Sequence, residues 1–129
     1  MTKKVLLLAF FLFITPFQML HAENTEVMQT DQLSVLFEKP LRIAAKEIVD
    51  MYPTLKTELE NTLEWTIEFK PTIVLVNDSE KFREITGNSL IVAYAVSQRN
   101  LIVIDHSKMN TKPFSFGSII KHELCHLLL

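Results

Sequence analysis

Apolar positions follow two rhythms along this chain, and the changes of rhythm mark its elements. Leu33, Val35 and Phe37 alternate with Gln32, Ser34 and Leu36, a period of two that predicts a short strand. Pro40 suits the first turn of a helix, where its missing N–H has no partner to lose. Behind it Leu41, Ala44, Ala45, Ile48, Tyr52, Leu55 and Leu59 recur at three- and four-residue spacings. That stripe predicts a long amphipathic helix facing a core, bent or interrupted at Pro53 because proline removes a helix hydrogen bond. Trp65, Ile67 and Phe69 alternate with polar neighbours and read as an edge strand or an extended lead-in. Thr72 to Val76 is a mostly β-branched apolar run, the pattern of a buried central strand.

Asn77, Asp78 and Ser79 supply capping oxygens for a short helix carrying Phe82 and Ile85, and Gly87 ends it where a positive φ costs least. Leu90 to Val96 and Leu101 to Ile104 are two further strands, joined as a hairpin by Ser97, Gln98, Arg99 and Asn100. A loop with Pro113 leads into a last helix that begins near Phe114 or Ser115. Ahead of the first strand, residues 23–32 are polar and read as a flexible leader. The sequence contains no internal repeat, so residues 33–129 form one α+β unit.

The chain has 129 residues, of which 48% are hydrophobic and 22% charged, ordinary proportions for a globular protein. Much of the apolar excess sits in residues 1–22. Lys3 and Lys4 precede an apolar run from Val5 to about Phe17, and Ala22 offers a small residue for cleavage before Glu23. This is the pattern of a signal peptide. A membrane anchor is the alternative, but Pro16 and Gln18 interrupt the run short of the roughly 20 residues a bilayer requires. Cleavage implies a periplasmic or extracellular protein with no stable membrane span. It leaves 11 basic and 15 acidic residues, a net charge of −4, and no basic block able to follow a phosphate backbone. Nucleic acid is therefore an unsuitable partner. Cys125 is the single cysteine, so no intrachain disulfide forms.

The densest chemistry lies in "IIKHELCHLLL", residues 119–129. On a helix, His122 and His126 are about 40° apart around the axis and about 6 Å apart along it, so both imidazoles leave one face and can hold one Zn²⁺. Glu123 lies about 100° round from His122, beside the metal position. There it serves as general base toward the attacking water and general acid toward a leaving amine. Ile120, Leu124 and Leu128 point the other way and anchor the helix. Three further residues have two readings each. Cys125 is a soft ligand or a small packed residue. His106 is an extra ligand or a loop histidine beside an ordinary turn aspartate, Asp105. Tyr94 stabilises an oxyanion or simply packs within its strand.

"KHELCHLLL" resembles the active-site helix of the gluzincin metallopeptidases, and the segments before it resemble the bacterial peptidase MA-like family. "LSVLF", "PLRIAAKEIVDMYPTLKTELE", "TIVLVNDSEKFREITG" and "IVAYAVSQRNLIVI" occur in the family's order and cover nearly all the mature chain. The resemblance implies a zincin-like N-terminal subdomain: a small mixed sheet, a long amphipathic helix and a C-terminal active-site helix. It implies zinc-dependent hydrolysis of a peptide or protein substrate, with His122 and His126 as ligands and Glu123 as base. It also implies peptide binding by strand addition along the hairpin, one strand of which should be an edge above the two histidines. The family's third ligand is a glutamate on a following helix, in a W-x-x-E-G-type segment that this sequence lacks. The expectation is that residues 33–129 are the N-terminal part of a peptidase domain, incomplete through a frameshift, a premature stop or an incomplete gene model, and inactive as this chain alone. A noncatalytic module that binds a peptide or an envelope protein is the alternative.

Export predicts a mature protein that begins at Glu23. Intact-mass measurement of the protein recovered outside the cytoplasm checks this, and retention of Met1 with Lys3 and Lys4 would exclude cleavage.

Overall fold

The computed structural model describes residues 25–109 and 114–129. The signal peptide expected at 1–22 and the loop carrying Pro113 lie outside the described residues. The strands are β1 (Thr25–Gln29), β2 (Ser34–Glu38), β3 (Thr72–Val76), β4 (Ala93–Val96) and β5 (Leu101–Asp105). The helices are α1 (Arg42–Leu63), α2 (Ser79–Thr86) and α3 (Phe116–Leu128). The fold is α+β around one five-stranded mixed sheet of order β1-β2-β3-β5-β4. Its inner pairs, β2 with β3 and β3 with β5, are parallel, and the outer pairs are antiparallel. Parallel neighbours need a long crossover, and α1 supplies the one between β2 and β3.

The two-residue period of each strand divides the core into two layers. Val35, Phe37, Ile73, Leu75, Ile102 and Ile104 face α1 and α3, meeting Ala45, Ile48, Tyr52, Ile120 and Leu124. Val74, Val76, Leu101 and Val103 face the other way and pack with Phe82 of α2. β5 is buried along all five of its residues, as expected for a strand covered on both faces. All seven apolar residues of the stripe from Leu41 to Leu59 are buried. Asp78 caps α2 by accepting from the Lys81 N–H at 2.8 Å, and Gly87 ends it at φ +78°.

Three expectations change and one open alternative is decided. Residues 25–29, read as flexible leader, are a strand paired antiparallel with β2 from Thr25 opposite Glu38 to Gln29 opposite Ser34. Their alternation is weak because an edge strand needs little burial, and the pairing is visible only once β2 is in place. α1 runs through Pro53 without interruption. Proline costs that turn a hydrogen bond, while Tyr52, Leu55 and Leu59 remain buried on both sides of it, a burial worth about 1.5 to 3 kcal/mol for each large apolar side chain. Residues 65–69 are the extended lead-in, not a strand: Trp65 is exposed, and the Ile67 N–H donates to Glu60 Oε2 at 2.8 Å. β4 starts at Ala93 rather than Leu90, leaving residues 90–92 irregular.

The packing sets two contrasting outcomes. Ile120→Ala, at a position with no exposed surface, should cost about 2 to 5 kcal/mol through lost contacts and a cavity. Ile43→Ala, at a position 86% exposed, should stay within about 0.5 kcal/mol. Urea unfolding of both variants measures the difference.

Candidate functional site

α3 begins where Ser115 accepts the Ser118 N–H on its hydroxyl at 3.3 Å. The first turn faces α1 at Gly117, where a β-carbon would make an ordinary contact with Leu55 Cδ2 at 3.6 Å. Ile120 and Leu124 have no exposed surface and Leu127 is buried beside them. These side chains fix the rotation of the helix. With them directed into the core, His122 and His126 emerge on the solvent side and Glu123 lies at the boundary.

The two imidazoles converge. Their Nε2 atoms are 3.1 Å apart, with ring centroids 4.8 Å apart and planes at 76°. Two nitrogens each about 2.0 to 2.1 Å from a tetrahedral zinc would stand about 3.3 Å from one another, so the observed spacing fits a shared metal. Glu123 is only 8% exposed. Burial pushes its carboxyl up from the ordinary value, against the opposing pull of His122 and His126. A carboxylate held this way takes up a proton more readily than one in water.

Above this face runs β4, the terminal strand of the sheet. Two adjoining cavities, of about 520 and 440 Å³, occupy the space between β4 and α3 and share Ile91, Ala93, His122 and Glu123. The larger is apolar, walled by Leu90, Val92, Phe114 and Ile119. The smaller is more polar and adds Tyr94, Ser97 and His126. Together they form a cleft with Glu123 at its middle. Ser97, in the β4–β5 turn, donates its hydroxyl to the His126 carbonyl at 3.4 Å. One of the last carbonyls of α3 thus gains a partner from another element.

The remaining candidates separate. Cys125 carries a free thiol, half-buried against the main core. His106 stacks on Phe116 at 6.1 Å between ring centroids. Among the described residues no group of three or more His, Cys, Asp and Glu is arranged to hold a metal, so neither Cys125 nor His106 completes a ligand set with the two histidines. Tyr94 lines the polar half of the cleft and is 44% exposed, so it is not a buried packing residue. Sequence reasoning missed Ile91, Ala93 and Ser97. One signal was present: Ala93 and Ala95 are small residues on one face of a strand, which leaves room for a helix to approach.

Asp105 is a second correction. Read as an ordinary turn residue, it is fully buried. Its carboxylate accepts from Ser79 Oγ at 2.7 Å, from the Ser107 N–H at 3.0 Å and from Ser107 Oγ at 2.5 Å. Burial alone would raise its pKa, but the hydrogen bonds from Ser107, Ser79 and Lys108 and the Lys108 charge hold it below the ordinary value.

No family model, no curated protein and no solved structure matches this chain.

Proposed function

We propose that the cleft between β4 and α3 belongs to a zinc-dependent peptide-hydrolysing centre acting outside the cytoplasm, of the zincin type. The observation that carries this reading is the convergence of His122 and His126, 3.1 Å apart at Nε2, beside a buried glutamate and beneath a sheet edge. Zinc held by these nitrogens would supply Lewis acidity toward a scissile carbonyl. Glu123 accepts the proton of the attacking water and returns it to the leaving amine, a task favoured by its raised proton affinity. The outer side of β4, which pairs with no strand among the described residues, would receive an extended peptide as a further strand and hold the scissile bond over Glu123. The apolar half of the cleft receives a bulky side chain of that peptide.

Catalytic zinc sites use three protein ligands, and two histidines alone hold the metal loosely. Calorimetric titration of the purified protein should show one zinc bound weakly. Either His122→Ala or His126→Ala should lower that affinity at least about tenfold. Saturable peptide binding that ignores zinc, both histidines and Glu123 would instead mark a noncatalytic binding module.

Glu123→Gln separates base from ligand. In a form of the protein that carries a third ligand, it should lower kcat by about 10² to 10⁴ and leave zinc affinity unchanged. In the metal-free protein it should raise the melting temperature. Burial raises the folded-state pKa of Glu123 above its unfolded value, so ionisation at neutral pH opposes folding, and the amide removes that penalty. Differential scanning calorimetry of both forms at neutral pH reads the shift.

A further inference from the structure

Residues 89–92 adopt neither helix nor strand, yet Leu90, Ile91 and Val92 form one wall of the apolar half of the cleft. Leu90 is 91% exposed there, a large apolar side chain standing in solvent at the rim. The Leu90 N–H donates to Asn88 Oδ1 at 2.8 Å, and one ammonium engages two of the segment's carbonyls. Lys108 Nζ donates to the Ser89 carbonyl and, at 2.8 Å, to the Ile91 carbonyl. Its third partner is Asp105 Oδ2 at 3.3 Å. An ammonium has three N–H donors and no acceptor, so these three partners use it completely. Phe82 lies under it, with the ring centroid 5.5 Å away.

The placement is specific. Asp105 is fixed by Ser79 at the start of α2 and by Ser107, so the lysine is anchored on β5, the most buried strand. The carbonyls of Ser89 and Ile91 are engaged by the lysine, and β4 correspondingly begins only at Ala93. The Val92 carbonyl accepts from the Asp105 N–H at 2.8 Å, tying the end of the segment to the same aspartate.

We propose that Lys108, anchored by Asp105, is a positioning residue for the substrate: it holds residues 89–91 as the wall against which a bulky apolar peptide side chain packs. The inference rests on reading the cleft as a substrate site, and it concerns the wall alone. Leu90 and Ile91 make the contact, while Lys108 acts through their backbone and does not touch the peptide.

The test uses the metal-free full chain and N-acetyl-phenylalaninamide as probe, followed by the NMR shifts of residues 90–93 and 119–123. Lys108→Met should raise amide exchange in residues 89–92 about tenfold or more. It should weaken the probe by about fivefold, since only a fraction of molecules then presents the formed wall. Exchange in β3 and β5 should stay unchanged. Leu90→Ala should weaken the probe without raising exchange, and Lys108→Arg should recover most of the lost affinity. Should Lys108→Met fail to fold with Asp105 left unpaired, the double variant Asp105→Asn/Lys108→Met supplies the same readings. Unchanged exchange in residues 89–92, unchanged probe affinity, or exchange rising equally in β3 and β5 would overturn the proposal. So would failure of the double variant to fold, because the pair would then be a requirement of the core. Zinc titration of the same samples distinguishes the two readings: loss of zinc binding with probe binding intact removes the metal centre and leaves the wall, and the converse removes the wall alone.

Discussion

α3 can present His122 and His126 together on its outer face only because its opposite face has nowhere else to go. Ile120, Leu124 and Leu127 pack into the layer between the sheet and α1, and an interior as dense as a molecular crystal accepts one rotation of the helix and few others. Given that rotation, residues four apart on the outer side must emerge together. Glu123 follows as a consequence: it occupies the flank, is pressed toward β4, and loses water on one side. The convergence of the two histidines and the raised proton affinity of the glutamate are thus both products of apolar packing elsewhere on the same thirteen-residue helix.

The sheet performs the matching task from the other side. β5 is covered on both faces and pairs with β3 in parallel and β4 in antiparallel register, so it is the least free element of the fold. β4 hangs from it by four residues, with small alanines toward α3 and no strand on its far edge among the described residues. A closer or bulkier strand would close the cleft. Because β5 carries Asp105 at its end, the wall made by residues 90–92 is referenced to the rigid centre of the molecule even though the segment has no regular structure of its own. A site on irregular backbone is usually mobile, and the Lys108 ammonium supplies a local restraint against that here.

Much of this was legible in advance, for identifiable reasons. The stripe from Leu41 to Leu59, the β-branched run at Thr72 to Val76, the cap at Asp78 and the stop at Gly87 each depend on neighbours within a few residues, and local sterics write themselves into local sequence. The histidine pair was legible for the same reason, since a separation of four on a helix settles that two side chains share a face before any tertiary contact exists. Pro53 was misjudged because its penalty is local whereas the packing that retains the helix is not. β1 was missed because an edge strand takes its order from hydrogen bonds to β2, and backbone donors and acceptors are the same in every sequence.

The sequence by itself determined most of the elements, their order and the shared helix face of His122 and His126 with Glu123 beside them, because each follows from periodicity or spacing along a short stretch of chain. Only the tertiary structure decided which strand is the edge above that group, that Ser97 meets the end of α3, and that His106 stacks on Phe116 instead of joining the other histidines. It alone decided that Asp105 is buried and that Lys108 reaches back across seventeen residues to the Ile91 carbonyl. The physical reason is common to all of these. They are contacts between elements distant in sequence, set by how the layers close around β5, and a lysine or aspartate looks the same in sequence whether it ends in solvent or in the core.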